Sequence, residues 1–182
     1  HYLRESKTRN YDNRYTKAEV LSVSGNYGIV NQIKFQGRSF AGALVDNYHV
    51  VDQGDIVYTK SPLKANPYGI IKANKSVPGI VSTLYAVYKP AKCLNSNFID
   101  YYFQLDDNLN RYLRPLVHKG AKNDMKINNN RVLIDPVLFP SVFEQDRIVR
   151  FLEVIDDKLL HSRDNVNLMT QFKKGLLQQM FV

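Results

Sequence analysis

The last forty-odd residues constrain this chain most, because they read as one long regular helix ruled by an apolar seam. Pro140 ends whatever precedes it. Ser141-Val142-Phe143-Glu144 then has the Ser-x-x-Glu spacing of a capping box, in which hydroxyl and carboxylate satisfy each other's orphan amides. Ile148, Leu152, Ile155, Leu159, Val166, Met169, Leu176 and Met180 follow at separations of four, three, four, seven, three, seven and four. This is the a/d pattern of a coiled coil, with Ser162 and Lys173 in the polar gaps. At about 1.5 Å per residue such a helix reaches roughly 60 Å, longer than a small domain is wide. A core does not need that rod; a partner does.

Charge divides at the same place. The 182 residues carry 25 Lys and Arg against 17 Asp and Glu, a formal +8. Six of each sign stand after residue 140, so the helix is neutral and the whole excess lies on residues 1–140. A basic globular domain joined to a neutral rod points to a polyanion at one end and protein at the other. One cysteine, Cys93, rules out a disulfide framework and a multi-cysteine zinc site. No apolar run approaches a membrane span, and His1 opens no signal-like stretch. The expectation is a soluble, cytoplasmic chain with no membrane partner; an opening His in place of Met suggests trimming.

Residues 1–140 read as mixed structure. His1 to Thr16 is polar, a strand edge or a lead-in arm. Ala18 to Val23 alternates like a strand, Asn26-Tyr27-Gly28 turns, Ile29 to Phe35 resumes the strand, and Gln36-Gly37-Arg38-Ser39 turns again. Strands are also expected at Asp55–Tyr58, Ile70–Ala73 and Ile80–Tyr88, each β-branched or aromatic between Gly and Pro punctuation. Phe98, Tyr102, Leu105, Leu109 and Leu113 have helical spacing, and Arg131–Leu138 reads as extended. The fold class expected is α+β: a mostly antiparallel sheet with packed helices over 1–140, then one long helix over 141–182 forming an antiparallel coiled coil.

Catalytic machinery is thin. Asn66-Pro67-Tyr68 is one proline short of the loop with which adenine-N6 methyltransferases hold the target amine, and no glycine-rich strand-to-helix turn stands upstream for a methyl-donor nucleotide. There is no phosphate loop and no His-Glu-x-x-His pair, and His1, His49, His118 and His161 lack ligand spacing. Asp124-Met125-Lys126 lacks the second placed carboxylate a nuclease needs. The expectation is a non-catalytic chain with no metal or cofactor of its own.

The stretch YTKSPLKANPYGIIK, Tyr58 to Lys72, is the better candidate for work. Lys60, Lys64 and Lys72 surround Ser61, Asn66 and Tyr68 in a loop punctuated by Pro62, Pro67 and Gly69. Lysines contact phosphates, an Asn amide bonds an adenine edge through both its atoms, and hydroxyls reach either base or backbone. Tyr27, Arg38, Lys119 and Lys122 are the further phosphate or edge candidates, whereas Tyr85 and Tyr88 read as core or sheet-face residues.

DIVYTKSP, NPYGIIK, GIVSTLYAVYKP, FIDYYF, PSVFEQDRIVRFLEVIDDKL and FKKGLLQQMF, in that order, resemble the target recognition domain and spacer helix of type I restriction–modification specificity subunits. Pro140, Glu144, Gln145, Ile148 and Ile155 match the opening of that helix, and Lys174, Gly175, Leu176, Leu177 and Gln178 its close. The resemblance covers nearly everything beyond Ala18. It implies a chain that reads one half of a bipartite site on double-stranded DNA, and whose helix spaces the halves and docks methyltransferase subunits. Methyl donor and ATP then belong to partner subunits. Family members carry two recognition domains and two spacer helices, and this chain has one of each, so it reads as a half-subunit or a fragment. Its dimer seam, Ile148, Leu152, Ile155, Leu159, Val166, Met169 and Leu176, then calls for a second copy running antiparallel. Identical heads on such a rod read an inverted repeat, with half-site centres no more than roughly 18 base pairs apart. The competing expectation is a non-enzymatic coiled-coil adaptor whose basic charge serves only solubility.

Overall fold

A computed structural model describes residues 2–63, 65–119, 125–133 and 137–181. The chain divides into two compact units, 1–145 and 146–182. It is mixed α and β, with antiparallel sheets and a long C-terminal helix. Among the described residues no helix is long and apolar enough to cross a membrane.

The first unit is organised by a four-stranded antiparallel sheet. Its strands are β1 (Leu3–Glu5), β5 (Ile56–Thr59), β6 (Ile71–Ala73) and β8 (Tyr85–Pro90), in the order β1-β8-β5-β6. β5 is buried along its whole length because both faces of the sheet are covered. On one face Ile56, Tyr58, Ala86 and Tyr88 pack with Ile99, Phe103, Leu109 and Leu113 from α2 (Ser96–Tyr102), α3 (Asp106–Leu113) and the turn between them. On the other, Val57 and Val87 meet Leu21, Ile29, Val51 and Val81. These come from two antiparallel pairs, β2 (Leu21–Ser24) with β3 (Gly28–Asn31), and β4 (His49–Val51) with β7 (Gly79–Val81). Each of the Val, Leu, Ile and Phe side chains contributes about 1.5–3 kcal/mol by leaving water. The two core tyrosines satisfy their hydroxyls: Tyr58 donates to the Tyr68 carbonyl and Tyr88 to that of Asn129, both at 2.8 Å. Burial pushes both phenols above their ordinary range.

Several local expectations are corrected. The strand read from Ile29 stops at Asn31, whose side chain accepts from the Lys34 amide and caps α1 (Gln32–Gln36); Gly37, at φ 75°, ends it. Ile80–Tyr88 is two strands, because Ser82 makes a turn: its carbonyl accepts from Tyr85 N at 3.1 Å and its hydroxyl from Leu84 N at 3.4 Å. β7 thereby pairs with β4 while β8 pairs with β5. The helical run Phe98–Leu116 breaks around the exposed Leu105 into α2 and α3, and Asp106 and Asp107 favour the new N-terminus. Of the expected strand Arg131–Leu138, residues 131–133 belong instead to a 3-10 turn, Asn129–Leu133. The polar start supplies the edge strand β1.

The long helix, α4, spans Val142–Met180, about 58 Å at 1.5 Å per residue. Its first turn belongs to the globular unit. The Ser141 hydroxyl accepts from Glu144 N at 3.4 Å. Gln145 is wholly buried; its Oε1 accepts from Asn95 N at 2.9 Å, and its Nε2 donates to the carbonyls of Pro140 (2.9 Å) and Cys93 (3.3 Å). Beyond that turn, Ile155, Leu159, Val166, Met169 and Leu176 are exposed, while Ile148 and Leu152 are half-buried. Gly175 has open space around it.

Candidate nucleic-acid interface

Residues 59 and 70 close the loop that follows β5. Thr59 N donates to the Ile70 carbonyl at 2.9 Å, and Ile70 N donates back to the Thr59 hydroxyl at 3.1 Å. Asn66 organises the interior: its carbonyl accepts from Leu63 N at 3.0 Å and Gly69 N at 3.1 Å, and its own amide donates to the Leu63 carbonyl at 3.1 Å. Its side-chain amide reaches Asp106 Oδ1 at 2.9 Å, and Asn110 Nδ2 reaches the Ala65 carbonyl at 3.0 Å, so the loop is tied to the first turns of α3.

This geometry places two of the expected DNA contacts inside the fold. Asn66 is 8 % exposed with its amide committed to Asp106, so it does not offer an adenine edge the free amide that two-point reading requires. Lys72 is buried in the middle of β6 opposite Val57. Ser61 stands exposed at the start of the loop, Lys60 is half-buried beside it, and Tyr68 is half-buried against the core. Lys64 and Lys122 lie outside the described residues. Lys119 lies in β9 (His118–Lys119), a two-residue strand paired with β10 (Met125–Lys126).

Lys60 has cationic company that its sequence context does not show. Burial holds its ammonium below the ordinary lysine range; Glu5, the stronger of the two nearby charges, raises it, and Arg9 lowers it. Arg9 bridges His49 across neighbouring backbones and donates to the Asn47 carbonyl at 2.6 Å. His49 is buried, with an Nδ1 that has no hydrogen-bond partner, and its pKa falls to about 4. Burial is the main cause, followed by Arg9 and Lys60; Glu5 opposes them. His49 therefore stays neutral in the folded chain while the unfolded chain takes up a proton below pH 6.5. Folding stability should fall as pH drops from 6.5 to about 4, by about 3 kcal/mol in all. Denaturant titrations at pH 7 and 4.5 on wild type and His49→Gln check this: the variant should lose less stability between the two values. Equal losses would show that His49 does not set the slope.

The other two described candidates, Tyr27 and Arg38, fall on the segment from the β2–β3 turn through α1. Tyr27 is 67 % exposed, with its ring 5.1 Å from that of Phe35. The Arg38 guanidinium lies over the Phe40 ring at 4.7 Å. Residues 13–45 carry Arg14, Lys17, Lys34 and Arg38 against one acid, Glu19, which is engaged by the Thr16 amide and hydroxyl at 2.7 and 2.8 Å. Elsewhere two lysines are absorbed by the fold: Lys75 pairs with Asp100 at 2.9 Å, and Lys89 with Asp52 and Asp55 at 2.6 and 2.8 Å. The basic groups outside those ion pairs include Arg9 and Lys60, with Glu5 beside them, and the cations around α1, with Asp12 and Asp46 at the edges of that segment.

Sequence reasoning missed Arg9, Lys34, Phe35 and Phe40. Arg9 is brought in by the pairing of residues 8–10 with the β4 region, which a single sequence does not display. The two phenylalanines did leave a signal: they flank a Gln-Gly-Arg-Ser turn with no strand partner in which to hide. The sequence matches no known protein-family model and no curated protein.

Proposed function

We propose that this chain is a sequence-specific DNA-binding subunit that reads one half of a bipartite duplex site, as the specificity subunits of type I restriction–modification systems do. The observation that carries this is the division between a basic globular unit and a neutral 39-residue helix whose apolar seam is open from Ile155 to Leu176. Exposed a/d side chains of that length need a cover, and a second antiparallel copy supplies the same pattern in reverse. A further row, Phe151, Val154, Leu168 and Phe172, stands exposed at the adjoining c and g positions. A two-helix pairing covers one row and leaves the other for a different protein, the role assigned here to methyltransferase subunits. Methyl donor and ATP belong on those partners in this reading, and the chain itself does no chemistry.

The test is selection of duplexes from a random pool, followed by a mobility shift at moderate salt. A single inverted-repeat consensus with half-sites about one duplex turn apart is the expected product. Binding with no sequence preference would leave the adaptor reading instead. Lys60→Ala should weaken binding to all sequences alike and lower the slope of log K against log salt by about one. An unchanged slope would remove Lys60 from the interface.

A further inference from the structure

Between the loop after α1 and the β7–β8 turn lies a cleft of about 260 Å³ whose lining includes Phe40, Tyr48, Leu84 and Tyr85, with Gln32 and Ser82 as polar members. Drug-sized pockets start at roughly 300 Å³, so this one suits a single small ring system. Phe40 and Leu84, at 58 % and 64 % exposed, present apolar surface to water. Phe40 is nonetheless held firmly. Gln32 Oε1 accepts from the Phe40 amide at 2.7 Å and from the Ser39 hydroxyl at 3.3 Å, and Gln32 Nε2 donates to the Ser22 hydroxyl at 3.0 Å. The amide thus anchors the Phe40 backbone to β2. A ring kept out of the core by its own dedicated bonds is placed to stack on something.

What stacks there is set by charge. Arg38 lies over the Phe40 ring and Lys34 stands in α1; of the acids on either side in sequence, Glu19 is engaged by Thr16 and Asp46 is half-buried six residues beyond Phe40. A planar ring carried on an anionic backbone meets both demands, whereas an apolar side chain of a protein partner leaves the cations without a role. We propose that this cleft takes an unstacked base of the bound nucleic acid, with Phe40 as the stacking face and Arg38 on the adjoining phosphate. This rests on the DNA-binding reading and adds the local form of the ligand: a base out of its stack.

The probe is a duplex carrying one 2-aminopurine as a single-nucleotide bulge, compared with the same duplex perfectly paired. Wild type is expected to bind the bulged duplex about tenfold more tightly, with a change in 2-aminopurine emission on binding. Phe40→Ala should erase that advantage, so that the bulged and paired duplexes bind alike; because Phe40 is largely exposed, the variant should fold, which its melting curve checks. Leu84→Trp, which fills the mouth of the cleft, should do the same without removing Phe40. Equal binding of the two duplexes by wild type, or a bulge advantage that survives both substitutions, overturns the proposal while sequence-specific binding of paired DNA stands. Failure of paired-duplex selection with the bulge advantage intact overturns the specificity reading and keeps the cleft. Loss of all nucleic-acid binding overturns both.

Discussion

Gly69→Ala is expected to destabilise the globular unit by about 3 kcal/mol or more, a fall in Tm of roughly 10 °C for a chain of this size. Two independent effects add at this position. Gly69 has φ 93°, which an L-residue with a Cβ adopts only under strain. A Cβ there would also stand 2.0 Å from the Thr59 carbonyl oxygen and 2.9 Å from a ring carbon of Tyr58. The first neighbour is strand backbone, so relief requires β5 and β6 to part where Thr59 and Ile70 exchange their bonds. The same glycine follows Tyr68, whose carbonyl satisfies the buried Tyr58 hydroxyl. Gly42→Ala is the control, since Gly42 has nothing within 4 Å and no positive φ, and it should stay within about 0.5 kcal/mol of wild type. Circular-dichroism melts of the three proteins decide it; a Gly69→Ala protein melting with wild type would show that the loop is not held as described. Weakened DNA binding by a Gly69→Ala protein that still folds would then be traced to Lys60 and Ser61, which the loop carries.

The case of this loop shows where sequence was legible and where it was not. Strands at 56–59 and 71–73 could be read because a strand buried on both faces is a plain apolar run. The long helix could be read because its seam and stop signals are local. Asn66 and Lys72 looked like ligand contacts because polar residues in a Pro- and Gly-rich stretch read as solvated. The burial of Asn66 depends on α3, which lies forty residues further along and presents Asp106 and Asn110 to the loop, whereas Lys72 stands opposite Val57 inside the sheet. His49 shows the same limit: its burial comes from the pairing of β4 with β7 and with residues 8–10, all set by tertiary register. The split at Ser82 was missed for the opposite reason, because the apolar pattern runs through it and only a hydroxyl turn interrupts the ladder. Phe40 was passed over because a lone aromatic in a turn carries no period.

Leu159→Asp combined with Val166→Asp is expected to abolish self-association of the full chain, moving it from dimer to monomer at micromolar concentration by equilibrium sedimentation. Both side chains are at least half exposed in the single chain, at 50 % and 65 %, so the substitutions place no charge in the fold of one copy. In an antiparallel pair each carboxylate would be driven into an apolar seam with no cation in the a/d positions between Ile148 and Met169 to receive it. Four such groups per dimer, at several kcal/mol each when buried unpaired, exceed what a seam of this length returns. The monomer's melting temperature should not move, which separates loss of pairing from loss of fold. The DNA consequence follows from geometry. On the DNA-binding reading proposed above, a single head should retain its phosphate contacts and bind a half-site without requiring a second half-site at fixed spacing. Inserting one base pair between half-sites should therefore weaken wild type and leave the double variant unaffected. If the double variant sediments as a dimer, the a/d seam is not the interface, and the row at Phe151, Val154, Leu168 and Phe172 becomes the surface to substitute next.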